Sequence, residues 1–174
     1  MAASLLVRVR RDVLFSAVLE RSSAVLSQIM NLEPVPKLAY ELPRAKEGLP
    51  LEGQMIDVNF PAAYIRFEGI DRSLVNFHTF NSPVPGDSAR LLLACEASGR
   101  GAASEVLAAA LAASASSLAN GSIDDGGHHW LDRDEYSPEE LIERLRLSGR
   151  PQDFHAALEL VYRRLAIQER YPTR

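Results

Sequence analysis

At 174 residues, 47% hydrophobic and 24% charged, the chain has the size and composition of one soluble globular domain with a real core. Its single cysteine, Cys95, excludes an intrachain disulfide, and no apolar run reads as long enough to cross a membrane. The net charge of -4 is mild but unevenly spread: Asp124, Asp125, Asp132, Asp134, Glu135, Glu139, Glu140 and Glu143 are opposed between residues 124 and 143 by Arg133 alone. Such a surface repels nucleic acid and steers a basic partner toward itself.

The N-terminal SLLVRVRR alternates at Leu5, Val7 and Val9, the period of a half-buried strand. Arg8, Arg10 and Arg11 break this run, so it lacks a secretory h-region, and Asp12 and Glu20 do not suit an acid-poor transit peptide. The expected compartment is the cytoplasm. Among 19 basic residues only Lys37 and Lys46 are lysines, which with the many alanines points to a GC-rich bacterial genome. Asp12 is placed to cap a helix, and Phe15, Leu19, Leu26, Ile29 and Met30 recur at helical spacing to residue 31, with a kink expected at Ser22 and Ser23. Pro34, Pro36, Pro43 and Pro50 then favour an extended connector, in which KLAYEL is at best an edge strand.

QMIDVNF, before Pro61, is a candidate strand. YIRFE alternates at Ile65 and Phe67, and LVNFHTF at Val75, Phe77 and Thr79, with GIDRS as the hairpin loop between them. RLLLACE is more continuously apolar and predicts a central strand of an antiparallel meander. An Ala-rich helix follows to about residue 118, with Val106, Leu107, Ala110, Leu111 and Leu118 on one packing face and Asn120 and Gly121 as its stop. Residues 122–124 add a short strand. In SPEELIERLRLSG, Ser137 caps, Pro138 takes the first helical position, Glu140 completes a capping box and Gly149 ends the helix. Pro151 starts a last helix with Phe154, Leu158, Val161 and Leu165 as its apolar stripe. These elements predict a single α+β domain over 1–174, an antiparallel sheet with helices packed on one face or end. It divides into strand plus helix (1–31), Pro-rich extended connector (32–62), meander plus helix (63–125) and C-terminal helices (137–171).

Two stretches carry candidate chemistry. In IDDGGHHWLDRDE, Asp124, Asp125, His128 and His129 are zinc or iron ligand types, and Gly126 and Gly127 would let the backbone wrap an ion. Adjacent histidines on an extended backbone point to opposite sides, however, and HxH or HExxH spacing is absent. A calcium loop starting at Asp132 fails at Tyr136 and Ser137, which stand where a ligand and a glycine are needed. A turn anchored by Trp130 with solvated acids is the stronger reading. In SGRGAAS, Gly99, Gly101 and Ser104 loosely imitate a dinucleotide fingerprint, with Asp124 20 residues after Ser104 as a ribose-binding acid. The third glycine is missing and the preceding strands read as antiparallel, so a plain strand-to-helix turn is preferred. Cys95 lies in an apolar run and reads as a buried, inert thiol rather than a nucleophile. His78 should face away from the Phe77 side of its strand, and His155 sits beside Phe154, both as surface or boundary residues. The sequence has no GxSxG elbow, P-loop or SxxK motif and no paired carboxylates at catalytic spacing.

From residue 64 to residue 147 the chain offers a meander, an Ala-rich helix, the segment Ile123, Asp124 and Asp125, then Trp130 and a helix opened by Ser137, Pro138, Glu139, Glu140 and Leu141. This arrangement resembles small bacterial α+β proteins that include immunity proteins of contact-dependent and polymorphic toxin systems. The resemblance covers about half the chain. It implies a non-catalytic protein that occludes a toxin through an acidic surface and needs no cofactor. The expected function is therefore a cytoplasmic protein-binding module. Asp124, Asp125, Trp130, Asp132, Asp134 and Glu135 would contact a basic protein partner, without nucleic acid or membrane; the oligomeric state is left open. The alternative is an enzyme or ligand-binding protein using the Asp/His loop 124–134 for a metal or the Gly-rich turn 98–104 for a nucleotide.

Overall fold

Alternating side chains build the sheet. In a computed structural model that describes residues 4–43, 51, 53–81, 88–99, 101–125 and 135–165, six strands form one antiparallel sheet. They are β1 (Ser4–Val9), β2 (Leu38–Glu41), β3 (Ala63–Phe67), β4 (Val75–Phe80), β5 (Leu91–Ala97) and β6 (Ile123–Asp124). The spatial order is β2-β3-β4-β5-β1-β6. The expected meander is β3 through β5, and β2, the KLAYEL strand, extends it as an edge strand. β5 is central, as its apolar run predicts, because β1 pairs along its other side, Leu5 facing Cys95 and Val7 facing Leu93. On one face Leu5, Val7, Val9, Ile65, Phe67, Val75, Phe77, Leu93 and Cys95 are buried. The alternate positions Leu6, Arg8, Asn76, His78, Leu92 and Glu96 are half-buried, so His78 does face away from Phe77.

Among the described residues four helices complete the α+β fold: α1 (Phe15–Met30), α2 (Ala102–Ala119), α3 (Pro138–Leu145) and α4 (Phe154–Leu165). α2 packs over β1 and β5, and α1, α3 and α4 pack against α2 in turn. Fourteen residues of α2 are buried, which corrects the one-sided packing face expected for it. Alanine and serine make this possible, since small side chains let three helices and a sheet approach one axis closely. Contrary to the expectation from the sequence, α2 is by length and composition apolar enough to span a membrane, the one such helix among the described residues; 78% of it is buried inside the fold. Asn120 stops it in the left-handed conformation, φ 51°, as expected. A Cβ on Gly121 would lie 2.1 Å from the Arg8 carbonyl oxygen, so glycine is required where the chain leaves the helix for β6.

Several local expectations are corrected. Asp12 does not cap α1: its carboxylate pairs with Arg90 at 2.8 Å, and the Phe15 N–H donates to the Gln54 carbonyl instead. α1 runs unbroken through Ser22 and Ser23, whose hydroxyls donate to the Val18 and Leu19 carbonyls one turn back. QMIDVNF forms no strand; a single bridge joins Met55 to Leu14, and an Asp57 turn carries the chain across the end of the sheet. That stretch nonetheless buries Ile56 and Phe60, with Phe60 packed on Phe15 and Phe77. The connector thus belongs to the core. α3 ends at Leu145 rather than Gly149, because Leu147 is buried and its N–H donates to the Ile29 carbonyl of α1. α4 begins at Phe154 rather than at Pro151, and Asp153 caps it by accepting from the Ala156 N–H.

Candidate functional site

The acidic stretch begins at the sheet edge. Ile123 and Tyr136 exchange two backbone hydrogen bonds, 2.9 and 2.8 Å, so both ends of the intervening segment meet there. His128, His129, Trp130, Asp132 and Asp134 lie outside the described residues. Asp124 sits on the helix-free face of the sheet and pairs with Arg8 at 3.5 Å. Asp125 is only 4% exposed, so its carboxylate is withdrawn from the surface on which the sequence placed it. Glu135 is exposed and has no hydrogen-bond or ion-pair partner among the described residues. Those residues bring no three metal-ligand side chains together.

The first turn of α3 continues this acidic rim. The capping box is formed as expected: Ser137 Oγ accepts from the Glu140 N–H at 3.2 Å, and Glu140 Oε2 accepts from the Ser137 N–H at 3.0 Å. Pro138, Leu141, Ile142 and Leu145 face inward, which turns Glu139, Glu140 and Glu143 to solvent. Glu140 is used by the cap, and Glu143 lies 3.7 Å from Arg146. Glu139 has no partner among the described residues. Beneath the rim, buried Tyr136 accepts a 2.7 Å hydrogen bond from Arg144, whose guanidinium lies 5.8 Å from the ring centroid. That contact fixes the start of α3 against its own second turn.

At the Gly-rich turn, Ser104 is buried, and its hydroxyl lies 3.1 Å from the Gly99 carbonyl oxygen and 3.2 Å from that of Gly101. Its polar atom is thus engaged by the turn itself. Glu105 already places a carboxylate in the first turn of α2. β1 lies between β5 and β6, so the two strands flanking α2 are not neighbours, unlike the paired parallel strands of a dinucleotide crevice. Gly99, Gly101 and Ser104 are adjacent, but Asp124 belongs to the far edge strand. Cys95 is buried, and desolvation, then the neighbouring Glu96 charge, pushes its thiol well above the ordinary range. His155 is exposed.

The sequence reading missed a third feature. The last turn of α1 and the chain after α3 enclose an open cleft of about 580 Å³, lined by Ser27, Gln28, Asn31, Glu33, Arg146 and Arg150 among others. Asn31, φ 49°, ends α1 here, and Ser27 Oγ lies 3.0 Å from Glu33 Oε1 and 2.9 Å from the Leu32 carbonyl oxygen. A second hollow of about 410 Å³ shares Asn31 and Arg146 and adds Glu143 and Arg164. The available signal was RLRLSGR, where arginines at 144, 146 and 150 follow the acidic run at once. No protein-family model, curated protein or solved structure matches the chain.

Proposed function

We propose that this chain is a non-catalytic protein-binding module that presents an acidic rim, Glu135 with Glu139 and Glu143, to a basic protein surface. One observation carries the reading. Ser137 and Glu140 already cap the N-terminal end of α3, yet Glu135 and Glu139 stand exposed beside it without a partner among the described residues. A favourable helix dipole accounts for part of that charge. Glu135 precedes the helix and Glu143 lies in its second half, so the dipole favours them less. Among the acids expected on this surface, Asp125 is buried and Asp124 is paired with Arg8, so the reading rests on Glu135, Glu139 and Glu143. The resemblance to immunity proteins suggests the kind of partner: a cytoplasmic toxin domain whose basic active surface the rim would cover.

The test compares proteins retained from source-cell lysate by the wild-type chain and by the triple variant Glu135→Gln, Glu139→Gln, Glu143→Gln. The expected result is a basic protein held by the wild type and lost by the variant, with the two chains melting at the same temperature. Identical retention by both, or loss of folding in the variant, would overturn the proposal.

A further inference from the structure

The cleft between α1 and α3 has walls of unequal chemistry. Ser27, Gln28, Asn31 and Glu33 contribute hydroxyl, amide and carboxylate groups on one side, and Arg146 and Arg150 contribute guanidinium groups on the other. Arg164 extends the positive wall into the adjoining hollow. Some of this charge answers the negative C-terminal ends of α1 and α3, both of which open here. Arg164 does so directly by donating to the Arg144 and Arg146 carbonyls. Arg150 does not: it is exposed and has no hydrogen-bond or ion-pair partner among the described residues. Arg146 has Glu143 at 3.7 Å, beyond hydrogen-bond distance, and its side chain is 54% exposed. Glu33, the acid on the opposite wall, is held by the Ser27 hydroxyl.

We propose that this cleft binds a small organic phosphate with a hydroxylated body. Two guanidinium groups from one short segment suit a dianion, since each offers a planar fork of donors to oxyanion oxygens. The cleft is several times larger than a bare phosphate needs. Among the rest of its lining, Gln28 and Asn31 can donate or accept and Glu33 can accept from a ligand hydroxyl. Ala24, Leu32 and the carbon stems of the arginines supply an apolar floor against which the carbon skeleton of such a ligand can lie. Glu143 of the acidic rim borders this site through Arg146 and the adjoining hollow, but the anion site does not depend on the function proposed for the rim.

Amide NMR spectra of the full chain, titrated at constant ionic strength with glycerol 3-phosphate, inorganic phosphate or glycerol, test the assignment. Glycerol 3-phosphate should give saturable shifts at residues 27–33 and 146–150, inorganic phosphate weaker ones and glycerol none. Arg150→Ala, a change at an exposed side chain, should weaken binding about tenfold or more without moving the melting temperature. Arg163→Ala removes an exposed charge outside the cleft and should leave binding unchanged. Absence of saturable shifts, equal loss in the two variants, or inorganic phosphate binding as tightly as glycerol 3-phosphate would overturn the proposal.

Discussion

α2 and α3 pack against one another and differ in what their residues are for. α2 buries nearly its whole circumference in alanine, serine and leucine, with the sheet on one side and α1, α3 and α4 around the others. α3 buries four residues and turns three glutamates outward. In α2 each side chain answers to the volume left by its neighbours. In α3 the inward residues and the Ser137–Glu140 cap satisfy the fold, Glu143 lies near Arg146, and Glu139 is left over. Changes in α2 should therefore cost stability and spare binding, whereas changes on the outer face of α3 should do the reverse.

The largest effect should come from Leu111→Ala, which removes a fully buried side chain from the middle of α2. We expect a loss of about 2–5 kcal/mol in denaturant unfolding, with partner recognition intact in the fraction that stays folded. A loss below about 1 kcal/mol would mean that α2 is not the packed centre of the fold. Gly121→Ala, at the exit from the same helix, forces a methyl group onto the Arg8 carbonyl and should cost about 1–3 kcal/mol. An unchanged midpoint would show that β1 and β6 give way there freely.

At α3, Ser137→Ala removes one arm of the capping box and should cost about 1 kcal/mol. Glu139→Gln, exposed two residues further on in the same first turn, should change stability by no more than about 0–1 kcal/mol. Equal losses in these two variants would erase the distinction between charge used by the fold and charge left over. The smallest effect at neutral pH belongs to Cys95. Its thiol is raised in the folded state, so the folded chain keeps a proton that the unfolded chain releases. The stability from that difference is intact below the unfolded thiol pKa of about 8.5 and falls as pH rises above it toward the raised folded value. Cys95→Ala should flatten this alkaline decline, and the native thiol should resist alkylation until the chain unfolds. Rapid native-state alkylation at pH 8 would contradict the burial.

What the sequence makes legible follows the range of the interactions. The capping box of α3 and the alternation in β3 and β4 are written within a few residues, and both are found where expected. The all-round burial of α2 depends on three helices supplied from elsewhere in the chain, and one helix's periodicity does not contain them. Asp12 reads as a cap locally but is taken by Arg90, 78 residues away. The candidate sites divide in the same way. The exposed glutamates are visible in a charge count, whereas the burial of Asp125 and the pairing of Asp124 with Arg8 depend on tertiary contacts. The arginine cleft escaped notice because its walls come from residues 24–33 and 146–150, which only the packing of α3 on α1 brings together.

The central claim is that the exposed acids at α3, Glu135, Glu139 and Glu143, steer a partner. The direct measurement is the association rate with the captured basic partner across a range of salt concentrations, for the wild type and for the Glu135→Gln, Glu139→Gln, Glu143→Gln variant. The wild-type rate should fall steeply with salt, and the variant should associate more slowly with a shallower dependence. Superimposable rates and slopes for the two chains would contradict the claim.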